Sequence, residues 1–139
     1  MDVIDSFSGE NYFLSNFYPS PLTLWGIDFP TGEHAFQAGK SEYRKEMLKI
    51  AQAPTPGAAK GMGRRVTLQP YWNECARYEV MKQVLRAKFS DPYLMERLMS
   101  TGDAILIEGN TWGDRTWGVS GGEGHNLLGW MLMKIRSEW

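Results

Sequence analysis

The eleven residues from Pro30 to Lys40, Pro-Thr-Gly-Glu-His-Ala-Phe-Gln-Ala-Gly-Lys, combine a helix start with an acid, an amide and an amine at helical spacing. Thr31 is the natural N-cap, since its hydroxyl can accept a first-turn backbone N–H, and Pro30 ends the extended segment before it. No proline follows until Pro54, so the pattern predicts one long helix. At roughly 100° per residue, Glu33, Gln37, Lys40 and Arg44 form a narrow stripe. It borders an apolar arc of Phe36, Gly39, Tyr43, Met47 and Ile50, opposite a solvated face of Glu42, Lys45, Glu46 and Lys49. In the first turn the helix dipole favours the ionised Glu33 carboxylate, an acceptor or base. Such a stripe can line a cleft; the plainer alternative is a polar margin whose acid and base are in partial contact.

A second reactive stretch runs from Gly109 to Gly124, with Trp112, Asp114 and Trp117 among many glycines. Two tryptophans and an acid in such a loop are hard to justify as packing, because irregular loops usually shed bulky apolar surface. The loop enters a helix at Asn126, a pattern that suits anions but has low specificity without a nucleotide-binding fingerprint. Lys60, Arg64 and Arg65 cluster near glycines and could receive phosphates, or be ordinary surface charge. Ser15 and Asn16, between aromatics, could meet sugar hydroxyls or satisfy a local turn while Phe13 and Phe17 pack inward.

These residues need elements to hold them. Residues 1 to 21 read as loop, followed by strands at about 22–25 and 27–29 forming a hairpin around Trp25-Gly26. Thr55 and Pro56 start a short helix ending near Gly61 or Gly63. Pro70 to Phe89 reads as a helix of about five turns carrying Trp72, Ala76, Val80, Val84 and Ala87, with Met81, Leu85 and Phe89 broadening the apolar surface. Ser90-Asp91-Pro92 caps another helix through about Thr101, with Leu94, Leu98 and Met99 inward and Gly102 ending it. Ala104 to Ile107 is a short strand, and Asn126 caps a terminal amphipathic helix with Leu127, Leu128, Met131, Leu132 and Ile135 inward. The expected fold is α+β: a helix-rich single domain over residues 1–139, with a small antiparallel sheet built from the 22–29 hairpin and the 104–107 strand.

The chain of 139 residues is long enough for one core without staples. One cysteine, Cys75, excludes an internal disulfide and a cysteine-built zinc site, and reads as a small apolar residue in a reducing, cytoplasmic compartment. No apolar run reaches membrane-spanning length, and no secretory leader is recognisable. A formal net charge of −1 argues against gripping nucleic acid mainly by neutralising phosphates, although a single modified base stays possible. The two histidines are distant and Cys75 is alone, so a metal-free, cofactor-free protein is expected. Six Trp, six Tyr and six Phe beside 15 Gly suit a site that stacks a flat ring, as they suit an aromatic core.

Taken together, Ser15-Asn16-Phe17, Pro30 to Gln37 with Lys40, Met62-Gly63-Arg64, Trp72, Asp114-x-x-Trp117-Gly118 and Gly124-x-Asn126-x-Leu128-Gly129 with Leu132-Met133 and Arg136 resemble the YbiA-like, or NADAR, domain in order and spacing. The likeness covers nearly the whole chain and implies an N-glycosidase. Some members of that family resemble enzymes cleaving phosphoribosylamino intermediates of riboflavin synthesis; others remove ADP-ribose from the amino group of guanine in nucleic acid. Carried over by position, the functional residues are Glu33, Lys40, Trp72 and Asp114, with substrate contacts at Ser15, Asn16, Phe17, Gln37, Arg64, Asn110, Trp117, Gly118 and Asn126. His34 is expected to be a packing residue. The run Gly109 to Gly113 before Asp114, and the lack of an N-terminal extension, turn the expectation towards an ADP-ribosylated base.

Breaking a C1′–N bond develops positive charge on ribose, which a carboxylate beneath the ring and an acid near the leaving nitrogen would stabilise. Glu33 and Asp114 are the expected pair. Lys40 would stabilise charge or take over the sugar as a Schiff base, Trp72 or Trp117 would stack the base, and Arg64 with the turn before Asn126 would hold phosphates. The alternatives are a reader that binds ADP-ribose without cutting it, and a scaffold with a vestigial cleft. The expected partners are a small or base-linked sugar substrate, with possible contact to modified nucleic acid, no membrane, and a monomeric state.

Overall fold

Residues 2–138 are described by a computed structural model. In chain order its elements are β1 (Val3–Ile4), a 3-10 turn (Gly9–Leu14), β2 (Pro19–Leu24), β3 (Ile27–Thr31), α1 (Gly32–Ala38), α2 (Arg44–Ala51), α3 (Pro56–Met62), a π turn (Trp72–Ala76), α4 (Arg77–Lys88), α5 (Pro92–Met99), β4 (Ile105–Leu106), β5 (Gly109–Asn110), β6 (Val119–Ser120) and α6 (Leu127–Ser137). The α+β class holds, and within the chain the contacts form two compact units, one of residues 16–90 and one of residues 1–15 with 91–139.

In the 16–90 unit, β2 and β3 pair antiparallel, with Leu24 opposite Ile27 and Leu22 opposite Phe29. The hairpin turns on Trp25 and Gly26, both at positive φ (55° and 73°), the mirror-image turn whose twist matches paired strands. Leu22, Ile27 and Phe29 are buried while Thr23 and Asp28 face out, joined by a 2.6 Å hydrogen bond. Strand β3 runs directly into α1 through Thr31, whose Oγ1 accepts the His34 backbone N–H at 3.2 Å. His34 is a packing residue. Its Nε2 donates to the Ala53 carbonyl at 3.0 Å, and its Nδ1 shares a hydrogen bond with the Thr31 hydroxyl at 2.8 Å.

The long helix expected after Thr31 does not exist. It stops at Ala38 and restarts at Arg44, with Gly39 packed so closely against Val80 and Trp25 that a side chain there would run into both. The interruption is then fixed by other bonds. Gln69 donates from N to Lys40 O and from Nε2 to Gly39 O, both at 2.7 Å, and Tyr43 N donates to Ser41 Oγ. The projection therefore fails beyond Gly39: Tyr43 is 61% exposed, and Arg44 leaves the stripe to donate to the Trp25 and Gly26 carbonyls.

Helix α3 starts as expected, with Thr55 Oγ1 accepting Ala58 N at 3.0 Å and Pro56 at the first position, and ends at Gly63. The five-turn helix expected from Pro70 begins instead with Tyr71 in the left-handed region (φ 60°) and a π turn, and becomes α-helical at Arg77. Val80, Met81, Val84, Leu85 and Phe89 are buried as anticipated; Lys88 is buried too, which no periodicity argument foresaw. Cys75 is exposed rather than packed as a small apolar residue.

In the other unit, Asp91 Oδ1 accepts Tyr93 N and Leu94 N to start α5. Met95 goes inward with Leu94 and Leu98, whereas Met99, expected inward, is 40% exposed. Strand β4 does not join the hairpin: it pairs in parallel with β1, inside the stretch read as loop, so the anticipated single antiparallel sheet is replaced by separate two-stranded pairings. The reason is local, since residues 2 to 5 supply an edge whose carbonyls at Asp2 and Ile4 accept from Ile105 and Ile107. β5 and β6 pair in parallel within the glycine-rich stretch. No helix among the described residues is long and apolar enough to cross a membrane.

Candidate functional site

All of α1 is buried, and it carries the chemistry-bearing stripe of the 16–90 unit. The Glu33 backbone N–H donates to Asn16 O at 2.9 Å, tying the helix start to the chain before β2. Gln37, one turn on, donates from Nε2 to Glu33 Oε2 at 2.8 Å, a charge-assisted bond that fixes the carboxylate's rotation. Gln37 Oε1 is buried without a donor and lies against Gly63, where any Cβ would fall on top of it. Asn16 repeats the arrangement: Nδ2 donates to Met81 Sδ at 3.3 Å, while Oδ1 has no donor and stands 3.1 Å from where a Gly32 Cβ would be.

Lys40, half-buried where α1 has ended, has its ammonium pushed below the usual lysine range. Burial is the main cause, Glu33 opposes it, and repulsion from Arg64 and Lys60 adds to it. The free amine is correspondingly easier to form. Trp72 is 7% exposed and packs its ring at 5.4 Å and 48° on Phe36, the residue on α1 between Glu33 and Gln37. Its placement by a π turn directly after a left-handed tyrosine is a strained geometry of the kind that often marks working residues. Asn16, Glu33, Gln37 and Lys40 are thus brought together within this unit, with Trp72 on the Phe36 ring of α1 and Arg64 just past the end of α3, which packs on α1; Phe17 is half-buried beside Asn16 in sequence.

The Asp114 loop belongs to the other unit and is built around its side chain. Asp114 Oδ1 accepts Thr116 N at 3.1 Å and Trp117 N at 2.9 Å. Asn110 clamps the same loop, donating to Asp114 O at 2.9 Å and accepting Asp114 N at 3.1 Å. Gly118 has no room for a side chain beside Glu108 and Asn110. Asn126 stands at the α6 N-cap with φ 53°, but its side chain does not cap. It donates to Leu106 O and accepts Glu108 N, both at 2.9 Å, and so pins β4 to the loop. Trp117 and Ser15 are half-buried, and Trp112 is 65% exposed.

Glu108 escaped the sequence reading. Its carboxylate accepts Asn110 Nδ2 at 2.9 Å and its carbonyl accepts Val119 N, so it orients the residue that clamps Asp114. An acid directly before Gly109-Asn110 was the available signal. Among the described residues no three His, Cys, Asp or Glu side chains gather as a metal site would require.

A sequence model of the NADAR domain matches residues 5–139. The N-glycosidase YbiA of Escherichia coli (strain K12) is 38% identical over 129 residues, which cover 89% of this chain and 79% of that protein. The NMR structure of E. coli YbiA matches with a TM-score of 0.85 and 36% identity, over 99% of this chain and 84% of that one. A riboflavin biosynthesis protein of Vibrio vulnificus (strain YJ016) is 36% identical over 134 residues, 93% of this chain and 36% of its own length.

Proposed function

The chain belongs to the NADAR domain family and is a hydrolase of N-glycosyl bonds; we propose that its substrate is an ADP-ribosylated nucleobase, ADP-ribosyl-guanine in nucleic acid, cut at the ribose C1′–N bond. The observation that carries the reading is the Glu33–Gln37–Lys40 stripe, a buried carboxylate held by a 2.8 Å amide bond with an amine of lowered proton affinity on the same helix end. As the ribose ring opens, positive charge grows at C1′ and the nitrogen bonded to it, and a carboxylate already fixed and shielded from water stabilises it without reorganising.

An exocyclic amine on ribose lets the sugar open to an imine. The Lys40 amine then adds to C1′, the base leaves as its free amine with a proton, and the sugar stays on Lys40 as a Schiff base. Water releases it as ADP-ribose and regenerates Lys40. Trp72 is proposed as the surface for the base, Arg64 as a phosphate contact, and Asp114 as a second functional carboxylate.

A second reading, a phosphoribosylamino intermediate of riboflavin synthesis, is favoured by the name of the Vibrio relative, of which this chain spans 36%. Incubation with an oligonucleotide carrying ADP-ribosylated guanine, and separately with the ribosylamine, decides between them. Release of ADP-ribose from the first, with borohydride trapping the sugar on Lys40 and no adduct in Lys40→Arg, is expected. Turnover of the ribosylamine alone overturns the choice of substrate, and turnover without a trappable adduct overturns the Schiff base.

A further inference from the structure

From Met47 to Asn73 the chain holds four cations, Lys49, Lys60, Arg64 and Arg65, and no acid, although the whole protein has a net charge of −1. Three of the four lie at the end of α3 and in the segment after it, and none of these three is in an ion pair among the described residues. That segment is fastened to the functional stripe at both ends. Gly63 lies on the Gln37 side chain, and Gln69 bonds Lys40 O and Gly39 O at 2.7 Å each. Its middle is held by Thr67, whose N and Oγ1 donate to Glu46; that carboxylate also accepts from Ser41 and is therefore occupied. Glu74, exposed just past Trp72, is the next acid along the chain.

The segment ends in Tyr71, whose ring is 70% exposed. A tyrosine at φ 60° is unfavourable, yet here it is held: its carbonyl accepts both Cys75 N at 3.0 Å and Ala76 N at 2.9 Å, closing the π turn that seats Trp72. The backbone thus keeps an aromatic ring in solvent immediately before the buried Trp72, while Arg64 and Arg65 stand exposed at the other end of the same pinned segment.

We propose that Lys60, Arg64, Arg65 and Tyr71 form a binding surface for single-stranded nucleic acid, along which the strand flanking the modified base is held beside the α1 stripe. Unpaired cations on the same pinned segment as an exposed aromatic ring match the way single strands are gripped, with phosphates on the cations and a base stacked on the ring. A single strand fits where a duplex does not, because the stripe is buried and a paired guanine cannot offer its amino group to it. The partner follows from the reading of the substrate as base-linked, but the binding of an unmodified strand tests it without turnover. The proximity of the surface to the reacting groups has an independent sign in the repulsion that Arg64 and Lys60 exert on Lys40.

The probe is a short unmodified single-stranded oligonucleotide, followed by fluorescence anisotropy across a salt series. On an unmodified strand, which brings no ADP-ribose phosphates to Arg64, three phosphate contacts predict a log–log salt slope of about −2, falling towards about −1.4 in Arg65→Gln. Tyr71→Asn, which tolerates the left-handed backbone, should weaken binding by about fivefold or more. Both variants should turn over ADP-ribosylated guanosine as the wild type does and lose a similar factor in kcat/KM on the modified oligonucleotide. Absence of salt-dependent binding by the wild type, equal losses on monomer and oligonucleotide, or competition by polyglutamate as strong as by the strand would each overturn the surface. Strand binding with this slope and these variant effects, but no turnover of either ADP-ribosylated substrate, supports the surface and overturns the substrate reading.

Discussion

Replacing Gly63 with alanine tests whether the Gln37 amide holds the Glu33 carboxylate in its working position. Gly63 has ordinary helical dihedrals (φ −60°, ψ −18°), so alanine meets no backbone penalty there. The penalty is steric, since the new methyl group would fall on Gln37 Oε1 and close on the Gln37 side-chain carbons. Gln37 sits in a fully buried helix and can yield only by swinging Nε2 away from Glu33 Oε2, now at 2.8 Å. Overpacking costs about 1–3 kcal/mol and a lost hydrogen bond to a charged group about 1.5–3 kcal/mol, partly overlapping, so about 2–3 kcal/mol in total is expected. For 139 residues the unfolding entropy is about 0.29 kcal/mol/K, which converts this into a fall in Tm of about 7–10 °C. Gly61 provides the control: a Cβ there meets nothing within 4 Å, and Gly61→Ala should leave Tm unchanged or raise it slightly. Activity should fall with Gly63→Ala by about tenfold or more well below its Tm, and Gln37→Ala should remove most of the difference between the alanine and glycine forms. Scanning calorimetry and steady-state release of free sugar read both effects. A Gly63→Ala protein as stable and active as Gly61→Ala would refute the account of Gln37.

Asp114→Asn keeps an oxygen for the Thr116 and Trp117 amides but loses the charge, so it should fold with little loss and still turn over about a hundredfold or more slowly, whereas Asp114→Ala should also lose about 1–2 kcal/mol in denaturant titrations. Wild-type turnover by the asparagine variant would remove Asp114 from the chemistry. Lys88 is 1% exposed, with Nζ 5.2 Å from the Phe89 ring, and burial pushes it down to about 7. Between that value and the unfolded lysine value the unfolded chain carries a proton that the folded one lacks. Unfolding free energy should therefore rise with pH in this window, by up to about 1.4 kcal/mol per unit, with the full cost of burying the charge present below it. Denaturant curves at pH 7 and 9 should show that contribution missing from Lys88→Met; an unchanged pH slope would show that Lys88 is not its source.

What could be read from the residues was mostly what neighbours in the chain decide. Thr31, Thr55 and Asp91 cap helices where they were expected, and Trp25-Gly26 turns the hairpin, because each bond is made within a few residues. The failures share a cause in contacts distant along the chain. Gln69, more than 25 residues beyond Gly39, bonds the chain where α1 ends, and Arg44 is drawn off the stripe by the Trp25 and Gly26 carbonyls of the hairpin. The pairing of Val3–Ile4 with Ile105–Leu106 joins stretches about a hundred residues apart, which no local pattern can announce. Glu33, Gln37 and Lys40 kept their relation because all three precede the break or stand at it. Asn126 had a capping residue's identity and place, yet its amide turned back to Leu106 and Glu108 instead.

The burial of every residue from Gly32 to Ala38 bears on how heat would silence the protein. An element with no solvent-facing side has no fraying mode of its own, so its amides can exchange with water only when the packing around it opens as well. Loss of turnover on warming through α1 is then tied to cooperative melting of the packing around that helix instead of preceding it.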